Sequence, residues 1–136
     1  MIDKAFRYCK YNNLRLTEPR QKVLEILATE KQPLGAYDLL DKISTDNNKV
    51  NPPTIYRAID FWLEHGFIHK ITSLNKYIIC NHNHDIKQTI ILICNNCNKV
   101  EEICENMEIL SLLSKRKFVF QQAITEVKGT CYSCSL

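Results

Sequence analysis

Apolar residues recur every three or four positions in four stretches of the first half of the chain, and this spacing predicts helices. The predicted helices cover Ile2–Asn12, Glu18–Thr29, Ala36–Thr45 and a segment from Asn51 to His65. The fourth helix starts at Asn51-Pro52-Pro53-Thr54, and Gly66 is a typical stop signal. Its apolar face consists of Ile55, Ala58, Ile59, Trp62 and Leu63. Outside that face lie Thr54, Tyr56, Arg57, Asp60, Phe61 and Glu64.

Two short segments of strand character follow the helices. They are Phe67–Thr72 and Lys76–Cys80, on either side of Ser73-Leu74-Asn75. Helices followed by a hairpin is the order of a winged helix-turn-helix, in which the third main helix enters the major groove of DNA. A helical interaction module is the alternative for residues 1–80.

The second half of the chain has a different pattern. Asn81–Lys87 is polar and turn-rich and is interpreted as a hinge. Strands are predicted for Thr89–Cys94, Val100–Ile103 and Phe118–Val127, with a helix over Glu105–Lys117. The predicted organisation is therefore a winged-helix domain at 1–80, a hinge at 81–87 and a smaller domain at 88–136.

Composition narrows the class of protein. The chain has 136 residues, 45% of them hydrophobic and 24% charged, as in ordinary globular proteins. No apolar run approaches the roughly 20 residues of a membrane span, and the first ten residues lack a signal-peptide core. The expectation is a cytoplasmic protein without a membrane partner. The net charge of +3 lies entirely within residues 1–78, which suits a polyanionic partner.

Six of the seven cysteines fall in the last 57 residues. Four of them form two CxxC units, Cys94-Asn95-Asn96-Cys97 and Cys131-Tyr132-Ser133-Cys134, with 33 residues between the units. The two-residue spacing lets both thiolates of a unit reach one tetrahedral ion. Clustered cysteines in a cytosolic chain indicate metal binding rather than disulfides. The sequence therefore predicts a structural zinc site made of four cysteines.

A second metal site is suggested by His69 and Cys80, at opposite ends of the predicted hairpin. If Leu74-Asn75 is a two-residue loop, these two residues pair directly and share a sheet face. His82 and His84 follow in the hinge, and Glu102 is a candidate carboxylate ligand. A thiolate with imidazoles selects zinc over Fe(II), which favours a zinc sensor. The alternative is an exposed His69, a core Cys80 and solvated hinge histidines.

An enzyme is the less favoured reading of the same residues. Cys80 could act as a nucleophile with His69 as its base. The sequence offers neither an oxyanion hole nor an orienting third group, so we expect no enzyme activity and no small-molecule substrate.

Several stretches together resemble the ferric uptake regulator family, most closely its zinc uptake regulator branch. They are Leu16-Thr17-Glu18-Pro19-Arg20, Ala36-Tyr37-Asp38-Leu39-Leu40, Pro53-Thr54-Ile55-Tyr56-Arg57-Ala58, Glu64-His65-Gly66-Phe67-Ile68-His69-Lys70 and the two CxxC units. The resemblance covers nearly the whole chain. It implies an α+β fold, with an N-terminal winged helix-turn-helix followed by a small C-terminal α/β dimerisation domain that holds the four-cysteine zinc site.

The resemblance also implies a role for the chain. The family consists of dimeric, metal-responsive transcriptional repressors, so the expected function is a zinc-responsive repressor of zinc uptake genes. A homodimer would bind palindromic double-stranded DNA operators when its sensory zinc is bound. The alternatives are an iron- or peroxide-responsive regulator of the same family, or a zinc-ribbon protein-interaction module.

Site residues follow from the family's motifs. DNA contacts are implied for Tyr56 and Arg57 at bases, for Tyr37 in support, and for Arg20 and Lys70 at phosphates. Structural zinc maps onto Cys94, Cys97, Cys131 and Cys134. Sensory zinc maps onto His69, Cys80, Glu102 and one further histidine, which gives two zinc ions per chain.

The sequence departs from the family's pattern at that further histidine. Lys87 stands where the family carries it, so His84 is favoured as the ligand, with His82 as the alternative. Gln122 stands where many members carry a histidine of a third metal site, which argues against a third site.

Overall fold

The computed structural model describes residues 2–30, 32–80, 88–103, 107–119 and 121–136. The chain divides into two compact units, Met1–Asn81 and His82–Leu136. The predicted hinge 81–87, with His82, His84 and Lys87, lies outside the described residues, as does Cys104.

The first unit contains four helices, as predicted. They are α1 (Ile2–Tyr11), α2 (Glu18–Thr29), α3 (Ala36–Ile43) and α4 (Pro52–Glu64). Helix α2 begins at an N-cap, because Thr17 Oγ1 accepts a hydrogen bond from the Arg20 backbone N–H at 3.4 Å. The predicted boundaries are right to within two residues. Among the helices of the described ranges, none combines the length and apolarity that crossing a bilayer requires.

Helix α4 lies at the centre of the first unit and packs against α2, α3 and β1. Trp62 and Ile59 are fully buried, as the apolar periodicity predicts. Phe61 was predicted to lie outside the apolar face, and that prediction is wrong, because only 8% of the residue is exposed. Neighbours on three sides widen the buried arc of α4 beyond the single stripe that the periodicity defines.

The end of α4 is a Schellman motif centred on Gly66. Gly66 has a left-handed φ of 77°. Its N–H donates to Leu63 O at 3.2 Å, and the Phe67 N–H donates to Trp62 O at 3.0 Å. The rings of Phe67 and Trp62 pack edge to face, with centroids 5.4 Å apart. This motif reverses the chain directly from α4 into the hairpin.

The hairpin consists of β1 (Ile68–Ile71) and β2 (Lys76–Ile79), which pair antiparallel. Tyr77 of β2 also forms a bridge with Leu34, which precedes α3. Helices followed by this small sheet confirm the predicted winged helix-turn-helix. One face of the hairpin, with Ile68 and Tyr77, packs on the helical core.

The predicted pairing of the hairpin is wrong by two residues. His69 pairs with Ile78 rather than with Cys80, because the loop contains four residues, Thr72–Asn75, instead of two. Asn75 adopts a left-handed φ of 51°, and its N–H donates to Thr72 O within the loop. Since a shift of two residues preserves the sheet face, Cys80 remains on the same face as His69, as its diagonal neighbour.

The second unit is built on a three-stranded sheet with β3 (Gln88–Cys94) in the middle. Strand β4 (Val100–Ile103) pairs with it antiparallel, and β5 (Ala123–Gly129) pairs with it parallel. Helix α5 (Met107–Lys115) lies between β4 and β5 in the chain, and a short helix, α6 (Tyr132–Ser135), follows β5.

Two predictions for the second unit need correction. The third strand begins at Ala123 rather than at Phe118, because α5 ends in a turn at Lys117, whose φ is 54°. The Phe118 N–H donates to Leu113 O in that turn, so Phe118 belongs to the helix end rather than to a strand. Helix α6 was not predicted, because four residues are too few to show a helical period.

Candidate functional site

The fold brings the four cysteines of the CxxC units together. Cys94 ends β3 and pairs with Gly129 at the end of the parallel neighbour β5. Cys131 follows β5 by two residues, and α6 returns the chain so that Cys134 lies beside it. All four sulfurs lie within 4.8 Å of one another.

The spacing of the sulfurs fits a tetrahedral zinc ion. With Zn–S bonds of about 2.3 Å, the sulfurs of such a site lie about 3.8 Å apart. The Cys97 and Cys131 sulfurs are 3.7 Å apart. The donor set, four cysteine sulfurs, is also one that structural zinc prefers.

Backbone N–H groups surround the Cys94 sulfur. It accepts from Asn96 at 3.4 Å, from Cys97 at 3.5 Å and from Cys131 at 3.3 Å. The N–H groups of Cys97 and Cys131, with that of Asn96, lower the pKa of the Cys94 thiol to about 6. These donors stabilise the thiolate, which is the form that binds metal.

The Cys134 thiol has the opposite shift. Hydrogen bonds to the Cys131 and Cys97 sulfurs raise its pKa to about 12, because its proton bridges neighbouring sulfurs. A metal ion binds thiolates, so metal binding at this cluster has to release that proton.

His69 and Cys80 form a second pair of metal-binding side chains, on the outer face of the hairpin. Only 7% of His69 and 4% of Cys80 is exposed. The pairing of the backbone continues to Cys80, whose N–H donates to Phe67 O at 2.8 Å. Their ligand atoms lie within 4.8 Å of each other, so that one ion could bond to both.

The other residues predicted for this site are placed as follows. Glu102 is half-buried on β4, where it pairs with Ile91 of β3. His84 and the alternative His82 lie outside the described residues. The sequence alternative in which His69 is an exposed residue of the hairpin is wrong, since His69 is buried.

The residues predicted to contact DNA bases lie on the open side of the first unit. Tyr56 is 42% exposed, and Arg57 beside it on α4 is also exposed. Tyr37, in the first turn of α3, is 66% exposed. Large aromatic side chains in contact with solvent are free to touch another molecule, and an arginine beside them suits guanine and phosphate.

The two residues predicted to contact phosphates differ in their surroundings. Arg20 is half-buried, and its guanidinium lies over the ring of Phe61 at 3.9 Å from the centroid. Lys70 is half-buried on β1, opposite Tyr77. The sequence analysis missed the role of Phe61; the signal was its position one helical turn after Arg57.

Comparison with known proteins gives a consistent result. The Ferric uptake regulator family model matches residues 11–127. The zinc uptake regulation protein of Escherichia coli (strain K12) is 35% identical, over 98% of this chain and 81% of that protein. The ferric uptake regulation protein of Staphylococcus epidermidis is 28% identical, over 96% of this chain and 94% of that protein.

A solved structure extends the similarity to three dimensions. A zinc uptake regulator complexed with zinc and DNA matches with a TM-score of 0.84 and 34% identity, over 98% of this chain and 92% of that chain. The family model covers most of the sequence, the winged helix is followed by the small sheet domain, and the CxxC units converge. The chain therefore belongs to the ferric uptake regulator family.

Proposed function

We propose that this protein is a zinc-responsive, DNA-binding transcriptional repressor that acts as a dimer and controls genes of zinc uptake. The observation that carries the proposal is the presence of two separate groups of metal-binding side chains. One is a four-cysteine cluster in the second unit, and the other includes a buried cysteine–histidine pair on the hairpin beside α4. Similarity to the zinc uptake regulation protein of Escherichia coli supports zinc as the signal.

The first zinc ion is assigned a structural role. Cys94, Cys97, Cys131 and Cys134 would hold it at the end of the β3–β5 sheet. The second unit has about 50 residues, which is too few for its core alone to stabilise it well, so metal binding contributes to its folding.

The second zinc ion is assigned the sensory role. Its proposed ligands are His69 and Cys80 from the hairpin, Glu102 from β4 and His84, with His82 as the alternative. A buried thiolate favours zinc over the harder Fe(II) ion, which supports a zinc sensor over an iron or peroxide sensor.

The position of His69 suggests how the sensory site acts on DNA binding. Only His65, Gly66 and Phe67 separate the end of α4 from β1, which carries His69 at its second position. Zinc supplies strong directional bonds that tie its ligands to one geometry. Ligands from the hairpin and from β4 would restrict the orientation of α4 in each protomer, and the population shifts towards the form that binds DNA.

DNA recognition is proposed to use the exposed side of α4. Arg57 suits a bidentate contact with guanine, and Tyr56 suits the methyl group of thymine. Tyr37 on α3 would add a supporting contact, and Arg20 and Lys70 would contact phosphates, which fix the register on the duplex.

Dimerisation is proposed to use the second unit. Strand β5 is an edge strand of the sheet, and Ile124 and Val127 on it are 40% and 45% exposed. Leu112 on α5 is 61% exposed. An apolar surface next to an open strand edge is suited to a second copy of the chain. A two-fold dimer would place its recognition helices about 34 Å apart, to match a palindromic operator.

Native mass spectrometry at saturating zinc tests the proposal. The expected species is a dimer with four zinc ions, of which mild chelation removes two. Cys80→Ser should lose the removable pair and keep the other two, while Tyr11→Phe, at an exposed position, should behave as wild type. A wild-type dimer that never holds more than two zinc ions would contradict the zinc-sensor proposal.

A further inference from the structure

The guanidinium of Arg20 is held on an aromatic side chain of α4. Its Cζ lies 3.9 Å from the centroid of the Phe61 ring, within the range of a cation–π interaction. Phe61 is itself held in place, since it is 8% exposed and its ring packs against Trp62 with centroids 4.8 Å apart. The ring is therefore a fixed support for the charged group.

Hydrogen bonds fix the rest of Arg20. Its backbone carbonyl accepts from Trp62 Nε1 at 2.7 Å, and its N–H donates to the Thr17 cap. Its Nη1 donates to the carbonyl of Arg15, just before α2. Both the backbone and the side chain of Arg20 are thus tied to α4 and to the start of α2.

No carboxylate neutralises Arg20 within the part of the chain that the structure describes. The ion pairs there join Lys22 to Glu18 and Lys42 to Glu30. A guanidinium has five N–H donors, and the Arg15 carbonyl takes one of them. Arg20 therefore combines a fixed position with a positive charge and donors that remain open to an anion.

The position of Arg20 relates it to the proposed base contact. Phe61 lies four residues after Arg57 on α4, and residues at this spacing are neighbours on one side of a helix. By covering Phe61, the Arg20 guanidinium lies on the side of α4 that presents Arg57, one turn further along.

We infer that Phe61 is a positioning residue that holds Arg20 ready to bind a DNA phosphate beside the Arg57 side of α4. The inference rests on the proposed DNA-binding function and adds a residue that does not itself touch DNA. A planar guanidinium that is already oriented loses less freedom on binding than a mobile side chain. A phosphate fixed there sets the position of α4 in the groove.

The test compares four full-length, zinc-loaded proteins: wild type, Arg20→Gln, Phe61→Leu and the double variant. The probe is a DNA duplex that wild type enriches from a random pool in the presence of zinc. Affinity is measured by fluorescence anisotropy over a series of salt concentrations. Arg116→Gln removes the same charge from an exposed position in the second unit and serves as the matched control.

Arg20→Gln should weaken binding about tenfold and lower the slope of log K against log salt by about 0.9, as expected for one lost phosphate contact. Phe61→Leu should weaken binding by less. The double variant should bind no more weakly than Arg20→Gln, because Phe61 acts through Arg20. Arg116→Gln should match wild type in affinity and slope.

Three results would overturn the inference. Arg20→Gln could lower the melting temperature yet keep the wild-type affinity and slope, which would make the stack purely structural. The effects of the two substitutions could add, which would separate Phe61 from Arg20. If Arg20→Gln fails to fold, Arg20→Lys replaces it; wild-type affinity in that variant would show that the planar stack is not needed. Failure of wild type to enrich any duplex is a different outcome, which contradicts the proposed function itself.

Discussion

At the residue scale, Cys9 and Cys94 show that burial does not decide what a cysteine does. Both are buried, with 1% and 3% of the residue exposed. Burial in the helical core raises the pKa of Cys9, although the charge of Arg20 opposes the shift. Backbone N–H groups lower the pKa of Cys94 to about 6. The local donors, rather than the extent of burial, prepare Cys94 for metal.

This contrast predicts different consequences for the two cysteines. Cys94→Ser should remove one zinc ion per chain and unfold the second unit, because the remaining sulfurs bind zinc weakly. Cys9→Ala should leave the zinc content unchanged and cost about 1 kcal/mol of stability through a small cavity. Zinc content by mass spectrometry and urea unfolding by circular dichroism measure both. Full zinc content in folded Cys94→Ser would contradict the assignment of the cluster.

Tyr77 gives a prediction for alkaline pH. Burial raises its pKa above the ordinary value of 10.0, and the nearby Tyr56 and Asp60 raise it further. Because Tyr77 ionises more readily in the unfolded chain, its contribution to stability is complete below pH 10 and is lost as the pH rises through the pKa of the folded state.

Absorbance of tyrosinate during an alkaline titration tests this. Of the six tyrosines, one should ionise late, and Tyr77→Phe should remove that late step. Tyr11→Phe is the control, since Tyr11 is 88% exposed and should account for an early step. Loss of an early step in Tyr77→Phe would show that Tyr77 is not buried in solution.

Side-chain roles were the least predictable feature at this scale. Residue type and spacing were enough to select the four CxxC cysteines. The same reasoning placed Phe61 outside the buried face, because helical periodicity sees one stripe and not the neighbours on either side of it. The stack between Phe61 and Arg20 joins residues far apart in the chain, and a single sequence contains no signal for such a pair.

At the element scale, the turn at Gly66 controls how α4 meets the hairpin that carries His69. Gly66→Ala should cost about 1–2 kcal/mol, because its φ of 77° is unfavourable for a residue with a Cβ. Gly129→Ala is the matched control: no atom lies within 4 Å of a Cβ added there, and its φ is not left-handed.

Urea unfolding followed by fluorescence measures both glycine variants. The chain has one tryptophan, Trp62, which is fully buried in the first unit and packs against Phe67 after the turn. Equal stability of Gly66→Ala and wild type would mean that the left-handed turn is absent in solution.

The elements also show where sequence patterns lose resolution. The existence of the four helices followed from apolar spacing and from start and stop signals such as Thr17 and Gly66. The hairpin register did not, since Ser73-Leu74-Asn75 is compatible with several loop lengths and only packing on Leu34 and the helical core selects one. The pairing of His69 with Ile78, rather than with Cys80, follows from that choice.

At the scale of the whole molecule, the account joins a DNA-reading unit to a metal-binding unit. Basic charge is concentrated in the first 78 residues, and the four-cysteine cluster lies in the last 43. Proposed sensory ligands occur in both parts of the chain, which would make metal binding and DNA binding reciprocal: zinc strengthens DNA binding, and DNA strengthens zinc binding by the same factor.

The most direct test of this account is the affinity for an enriched DNA duplex as the concentration of free zinc is varied with a metal buffer. We expect filling of the second site to raise the affinity of wild type about 5- to 150-fold, with no such rise for Fe(II) or for Cys80→Ser. Equal DNA affinity with and without zinc, or a response to Fe(II) that survives in Cys80→Ser, would contradict a zinc-responsive repressor.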